Sequence, residues 1–171
     1  MSLVSDIIRL SQLDENTEMN WENVDALSVA KEALEMVGPI AESRNISLTI
    51  KGEPAPLTSV HKLLYDIIYN LCDNAVKYNK EGGFVKVNVK TAGDKVQVAV
   101  SDNGVGIAPA DQSRVFERFY RVDKSHSRES GGTGLGLSIV KHAVAYLKGS
   151  ISLESTLGKG TTITVSFPAE K

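Results

Sequence analysis

Apolar side chains recur with helical spacing in three long stretches of the chain. The strongest pattern predicts a helix that carries apolar residues on one face, at Val60, Leu63, Leu64, Ile67, Ile68, Leu71 and Ala75. Ser59 precedes this stripe and is the predicted N-cap. Similar stripes predict helices over residues 28–42 and 135–147.

Alternating apolar and polar positions predict strands over residues 46–50, 84–89, 96–100, 151–153 and 161–167. Pro54 and Pro56 predict an extended connection after the first of these strands. The order is helix, strand, helix, two strands, helix and two strands. This order predicts an α+β fold, a two-layer sandwich with one layer of helices on one face of a mixed sheet.

The remaining stretches predict a separate N-terminal helix and a long loop. Residues 3–13 carry a helical stripe with no partner inside so short a segment, as expected for the tail of a longer helix cut off upstream, and residues 14–20 are polar. Between residues 105 and 132 the pattern predicts only a short helical piece around residues 115–120. A loop of this length is usually functional or mobile.

Composition narrows the function classes. The chain has 171 residues, 42% of them hydrophobic, which is enough for one globular domain. A net charge of −2 gives no reason to expect binding to nucleic acid or to anionic lipid. Charges interrupt every apolar run short of a membrane span, so no membrane insertion is predicted. The single cysteine, Cys72, fits a reducing compartment and is expected to be a small core residue.

Two asparagines and a lysine share one edge of the strongest predicted helix. Asn70, Asn74 and Lys77 fall within about 60° of one another, next to the apolar stripe. Amide oxygens are acceptable ligands for Mg²⁺, which also relies on water and on substrate phosphates, and a lysine can neutralise a phosphate. The alternative is that both asparagines simply face solvent.

Asp102 follows an apolar strand and precedes two glycines, Gly104 and Gly106. A carboxylate only accepts hydrogen bonds, so it suits a ligand edge that donates, such as the exocyclic amine of adenine. The alternative is an ordinary Asp-Asn-Gly turn after a strand. Residues 132–137 place glycines at a predicted helix start, where free backbone N–H groups attract phosphate.

Five segments together resemble the sequence boxes of sensor histidine kinases, of the phosphate-regulon type. Residues 70–78 resemble the N box, residues 102–106 the first glycine box, and residues 116–121 the F box. Residues 132–137 resemble the second glycine box and residues 158–161 the last. They occur in family order. The resemblance implies the Bergerat ATP-binding fold, with a mixed sheet backed by three helices and a mobile ATP lid over residues 108–132.

The resemblance also implies roles for individual residues. Asn74 is expected to bind Mg²⁺ with Asn70 beside it, Lys77 and Arg118 to contact phosphate, and Tyr78 to pack by the adenine. Asp102 is expected to accept from the adenine amine, with Thr161 assisting through water. The remaining predicted ATP-binding residues belong to the glycine boxes: Gly104, Gly106, Gly132, Thr133, Gly134, Leu135, Gly136 and Leu137.

Asn70 separates two branches of the family. Gyrase-like ATPases carry a glutamate there, because hydrolysis needs a base that activates water. An amide cannot accept that proton, so the chain resembles the kinases and slow hydrolysis of ATP is expected.

None of the three histidines has the context of the family's phosphoacceptor. His61 starts a predicted core helix, His126 lies in the predicted lid, and His142 lies on a predicted helix. The resemblance therefore implies a catalytic domain over residues 21–171, a linker over 14–20 and, over 1–13, a remnant of the dimerisation and histidine-acceptor hairpin.

The implied partners are the acceptor domain of the parent kinase and a response regulator. The implied location is the cytoplasm, as part of a membrane-anchored sensor. Two alternatives remain: an anti-sigma-factor-type serine kinase of the same fold, and a degenerate module that binds nucleotide or protein without catalysis.

Overall fold

The computed structural model describes residues 3–14, 19–122 and 132–169. His126 and most of the predicted lid's polar run lie outside these residues. The described chain forms five helices: α1 (Leu3–Asp14), α2 (Ala26–Ser43), α3 (His61–Lys77), the short α4 (Pro109–Gln112) and α5 (Gly136–Tyr146). Within these described residues, no helix is both long enough and apolar enough to cross a membrane.

Five strands form a mixed sheet in the order β2-β4-β5-β7-β6. Their bounds are β2 (Ser47–Gly52), β4 (Phe84–Ala92), β5 (Lys95–Asp102), β6 (Ser150–Thr156) and β7 (Gly160–Pro168). β2 runs parallel to β4, and the other neighbours are antiparallel. The sheet and its single layer of helices confirm the predicted α+β sandwich.

Alternation along the strands explains why helices cover one face of the sheet. Val85, Val87 and Val89 of β4 are buried, whereas the residues between them, Lys86 and Asn88, are exposed. The buried valines join the apolar faces of α2 and α3 in one hydrophobic core. The apolar face that the strands form with a period of two therefore packs on the apolar faces that the helices form with a period of 3.6.

A two-stranded ribbon was not predicted. β1 (Glu22–Asp25) pairs antiparallel with β3 (Pro56–Ser59), in the stretch expected to be only an extended connection. Asp25 ends β1 and caps α2, where its carboxylate accepts from the backbone N–H groups of Leu27 (3.3 Å) and Ser28 (3.2 Å). Helix α2 consequently begins two residues earlier than its apolar stripe indicated.

Two local predictions were wrong. Ser59 does not cap α3, because it is the last residue of β3, and the N-cap is Val60 without a side-chain hydrogen bond. The helical piece expected at residues 115–120 is a series of turns, and the short helix α4 lies earlier, with Pro109 in its first turn. Phe119 has a φ of 62°, which is outside the right-handed helical region.

Helix α1 packs against α5 rather than standing alone. Leu10 is buried in a small cluster with Leu135 and Ile139. Residues 15–18 of the predicted linker lie outside the described residues.

The fold makes a stability prediction for α3. Replacing the fully buried Ile67 with alanine removes core contacts, so the free energy of unfolding should fall by about 2–5 kcal/mol. Met36→Ala on α2, where the side chain is 61% exposed, is the control and should change it by less than about 0.5 kcal/mol. Urea unfolding measures both, and equal losses would contradict the assignment of Ile67 to the core.

Candidate functional site

One cavity of about 510 Å³ lies between α3, the sheet and the start of α5. It is lined by most of the predicted site residues: Asn70, Asn74, Lys77, Tyr78, Asp102, Gly106, Gly132, Thr133, Gly134, Gly136, Leu137 and Thr161. Its volume is within the usual range for a small-molecule site. Segments from distant parts of the sequence therefore meet at one concave surface.

Asp102 lines the cavity. It is the last residue of β5 and lies opposite Thr161 of β7 in the sheet register. Its Oδ1 accepts from the backbone N–H of Gly104 at 2.8 Å, and it also accepts from the backbone N–H of Thr161. Burial raises the pKa of the carboxyl, and these two hydrogen bonds oppose that effect.

The first glycine segment, residues 102–106, passes very close to the C-terminal end of α3. Val105 donates its backbone N–H to the carbonyl of Tyr78 at 3.1 Å. A Cβ at Gly104 would lie 2.4 Å from that same carbonyl oxygen, so a larger residue would push the two segments apart. Glycine at position 104 therefore keeps Asp102 next to Tyr78, although Gly104 itself does not line the cavity.

Amide oxygens from α3 converge near the start of α5. Asn70 is buried and donates its Nδ2 to the carbonyl of Asp66 at 2.7 Å, which turns its Oδ1 away from that carbonyl. A Cβ built at Gly136 would lie 3.1 Å from the Oδ1 of Asn70 and 3.9 Å from that of Asn74. The two oxygens thus face the same small space beside the glycine segment.

Lys77 brings a positive charge to this side of the cavity. Its Nζ lies 2.7 Å from Oδ2 of Asp73, one helical turn earlier, and both residues line the cavity. The ion pair holds the ammonium group at the rim, and the Lys77 side chain as a whole is 31% exposed. Sequence reasoning missed Asp73, although the spacing of four residues is a known signal for such pairs.

The second glycine segment, residues 132–137, leads into the N-terminus of α5. Gly134 has a φ of 74°, and a Cβ there would lie 3.1 Å from the backbone of Phe119. Its carbonyl accepts the N–H of Phe119 at 2.9 Å. Leu135, predicted to bind ATP, is fully buried against α1 instead of lining the cavity.

Arg118 and Arg121 lie in different places. Arg118, predicted to contact phosphate, donates from Nη2 to Nε2 of His142 at 3.2 Å, and it is not among the described residues that line the cavity. Arg121 does line it, and its Nη1 donates to the carbonyl of Gly132 at 2.8 Å. Sequence reasoning quoted Arg121 within the F box but assigned it no role.

Helix α1 also contributes to the site. Asp6 is buried, lines the cavity and accepts the hydroxyl of Thr133 at 2.9 Å. No local sequence pattern could predict this contact, because the two residues are 127 positions apart. Among the described residues, no group of three or more histidine, cysteine, aspartate or glutamate side chains could hold a metal ion.

Solved structures of histidine kinases share this fold. Full-length ShkA in complex with AMPPNP matches with a TM-score of 0.88 and 26% identity, over 99% of this chain and 35% of that one. The mycobacterial sensor histidine kinase MprB matches with a TM-score of 0.76 and 29% identity, over 88% of this chain and 99% of that one. The fold and the cavity define the class of Bergerat-fold catalytic domains.

Sequence comparison identifies the family. A family model described as histidine kinase-, DNA gyrase B-, and HSP90-like ATPase matches residues 59–171. The sensor-like histidine kinase SenX3 of Mycolicibacterium smegmatis is 40% identical over 168 residues, which is 97% of this chain but 44% of SenX3. This chain belongs to the histidine kinase-, DNA gyrase B- and HSP90-like ATPase family. The predicted resemblance to sensor histidine kinases of the phosphate-regulon type is confirmed.

The raised pKa of Asp102 predicts how stability depends on pH. The folded state holds this proton more tightly than the unfolded chain, so the contribution to stability is complete below the unfolded pKa and is lost as the pH rises through the folded pKa. Asp102→Asn abolishes this loss. The free energy of unfolding of the variant, relative to the unmodified protein, should therefore increase as the pH rises from below the ordinary aspartate pKa of about 4 into the range above it.

Urea unfolding across this pH range measures the difference. Met36→Ala, at an exposed position of α2 without an ionisable side chain, is the control and should show no such increase. A difference for Asp102→Asn that stays flat or falls with pH would contradict the raised pKa.

Proposed function

We propose that this chain binds Mg²⁺-ATP and serves as the catalytic domain of a sensor histidine kinase. The observation that supports it most directly is that the Asp102 carboxylate, Lys77 and the second glycine segment line one cavity, where the amide oxygens of Asn70 and Asn74 face Gly136. A purine base with a donating amine suits Asp102, and a polyphosphate suits Lys77 and the glycine segment. The relative ShkA, whose structure contains AMPPNP, supports the choice of nucleotide.

The residues proposed to meet the phosphates also fit a magnesium ion. The amide oxygens of Asn70 and Asn74 face one small space, and Mg²⁺ accepts amide oxygens while it relies on phosphate oxygens and water for most of its ligands. Asn74 would hold the ion, with Asn70 beside it. When bound, Mg²⁺ would neutralise charge on the phosphate oxygens. Lys77 and the backbone N–H groups of the glycine segment would bind the same phosphates, and Arg118 remains a proposed phosphate contact.

The reaction proposed is transfer of the γ-phosphate to a histidine of a helical domain outside this chain. Asn70 supports transfer rather than hydrolysis, because its amide cannot accept a proton from an attacking water. The phosphate would then pass to an aspartate of a response regulator. The chain spans 44% of SenX3, so these partners belong to the proposal for a longer protein.

The proposed organisation follows from the same reasoning. Residues 1–13 are assigned to the second helix of the acceptor hairpin, residues 14–20 to a linker and residues 21–171 to the catalytic domain. Residues 108–132 are proposed to form a lid over the nucleotide. The parent sensor is proposed to be membrane-anchored, with this domain in the cytoplasm.

Replacing Asp102 with asparagine tests the nucleotide orientation. An amide at this position can present a donor to the adenine amine, which also donates. Loss of one charged hydrogen bond should raise the Kd for a non-hydrolysable ATP analogue by about ten- to a hundredfold. Isothermal titration calorimetry with Mg²⁺ measures it, and Asp94→Asn should bind like the unmodified chain. Equal affinity for all three proteins would remove Asp102 from the site.

Phosphotransfer is tested with radiolabelled ATP and a separate acceptor domain from the parent protein. The chain alone should show no self-labelling, because none of its histidines has the acceptor context, whereas the histidine of the added domain should become labelled. Strong labelling of the chain itself would contradict the proposal. Labelling of a serine in a partner would favour the serine-kinase alternative, and absence of nucleotide binding would favour a degenerate module.

A further inference from the structure

Arg44 connects the C-terminal ends of helices α2 and α3. It is the C-cap residue of α2, and its guanidinium group reaches the C-terminal end of α3. Nη1 donates to the carbonyls of Val76 (2.5 Å) and Lys77 (2.9 Å), and Nη2 donates to the carbonyl of Asn79 (2.7 Å). Three hydrogen bonds to the chain around the end of α3 therefore come from one side chain that lies 32 to 35 positions away in the sequence.

Two of these carbonyls, those of Val76 and Lys77, lie in the last turn of α3, and that of Asn79 lies just beyond the C-cap residue Tyr78. The last four carbonyls of a helix have no intrahelical partner, and the helix dipole places partial negative charge there. A planar guanidinium group supplies both the positive charge and several donors with fixed geometry. Arg44 thus defines where α3 ends and the direction in which the chain leaves it.

The segment that Arg44 binds, residues 76–79, contains two residues that line the cavity. Lys77 and Tyr78 both line the cavity, and Arg44 binds the carbonyl of Lys77 and that of Asn79, on either side of Tyr78. The carbonyl of Tyr78 between them is left to accept the N–H of Val105. The guanidinium group therefore orients the peptide groups that dock α3 onto the first glycine segment.

We propose that Arg44 is a positioning residue for the nucleotide site. It acts through the 76–79 backbone, which sets the distance between Lys77 and Tyr78 on one side and Asp102 and Gly104 on the other. This inference rests on the proposed function, because the consequence of positioning is nucleotide affinity. Arg44 itself does not line the cavity, so a loss of affinity in its variants reports on the backbone that it holds.

Three variants separate positioning from general stabilisation. Arg44→Met keeps an unbranched side chain but removes the charge and the donors, whereas Arg44→Lys keeps a charge and three donors without the planar fork. Val96→Ala removes buried volume at the opposite end of β5, six residues from Asp102, and controls for lost stability. All measurements use conditions in which urea titration shows each protein to be folded.

The Kd for a non-hydrolysable ATP analogue with Mg²⁺ is the first readout. We expect Arg44→Met to weaken it about tenfold or more, Arg44→Lys to remain within about threefold, and Val96→Ala to bind like the unmodified chain. Unchanged affinity in Arg44→Met, or an equal loss in Val96→Ala, would overturn the inference. If Arg44→Met does not fold, Arg44→Gln replaces it with the same expectation.

Amide hydrogen exchange at Val105 is the second readout and needs no nucleotide. Its N–H is bound to the carbonyl of Tyr78, so exchange relative to the core amides of β5 should accelerate in Arg44→Met and not in Val96→Ala. Unaltered exchange at Val105 would overturn positioning by Arg44. If the unmodified chain binds no ATP analogue, the proposed function fails. The exchange result at Val105 still shows whether Arg44 holds the contact between Val105 and Tyr78 in place.

Discussion

The docking of α3 on the sheet is the constraint on which both the core and the cavity depend. One face of α3 buries Leu64, Ile67 and Leu71 in the main core, and the adjoining edge presents Asn70 and Asn74 to the cavity. Leu71 also lines the cavity, so the site begins where the apolar core stops. A small rotation or shift of α3 would therefore disturb packing and site together, because close-packed interiors do not deform gradually.

Within the described residues, the Asp102 carboxylate lines the cavity without a paired cation. Asp66 is more deeply buried than the partly buried Asp102, but Lys62 lies 2.6 Å and Arg9 3.7 Å from the Asp66 carboxylate. Among the described residues, no ion pair involves Asp102, which has only backbone donors from Gly104 and Thr161 and a raised pKa. Burial without a cation costs stability. That cost is explained if the remaining acceptor capacity of Asp102 is reserved for a ligand.

Much of the fold could be predicted because its signals are local. The stripe from Val60 to Ala75 and the alternation in β4 and β5 record burial on one face of each element, and the structure confirms both. The β1–β3 ribbon could not be predicted, because four-residue strands such as Glu22–Asp25 carry too few positions to show a period. The turn at Phe119 was missed because its φ is fixed by the contact with Gly134.

The same distinction separates the predictable part of the site from the rest. Asn74, Asp102 and Gly134 lie in short segments whose residue types suggest their chemistry. Asp6 and Arg44 take their positions from tertiary contacts over long sequence separations, with Thr133 and with the end of α3. Local patterns carry no information about such pairs. A single sequence can therefore predict which segments contribute to a pocket more readily than what holds those segments in place.

Asp6 adds a physical link between α1 and residues 132–134 of the cavity lining. Its buried carboxylate accepts the hydroxyl of Thr133, and four residues later Leu10 packs on Leu135 and Ile139 at the start of α5. Displacing α1 would expose these apolar side chains and remove the acceptor from Thr133, in the segment that precedes the α5 N-terminus. Because polar and apolar contacts would be lost together, α1 tends to stay docked or to leave as a unit. The position of the preceding helix is thus coupled through Thr133 to the geometry of the glycine segment.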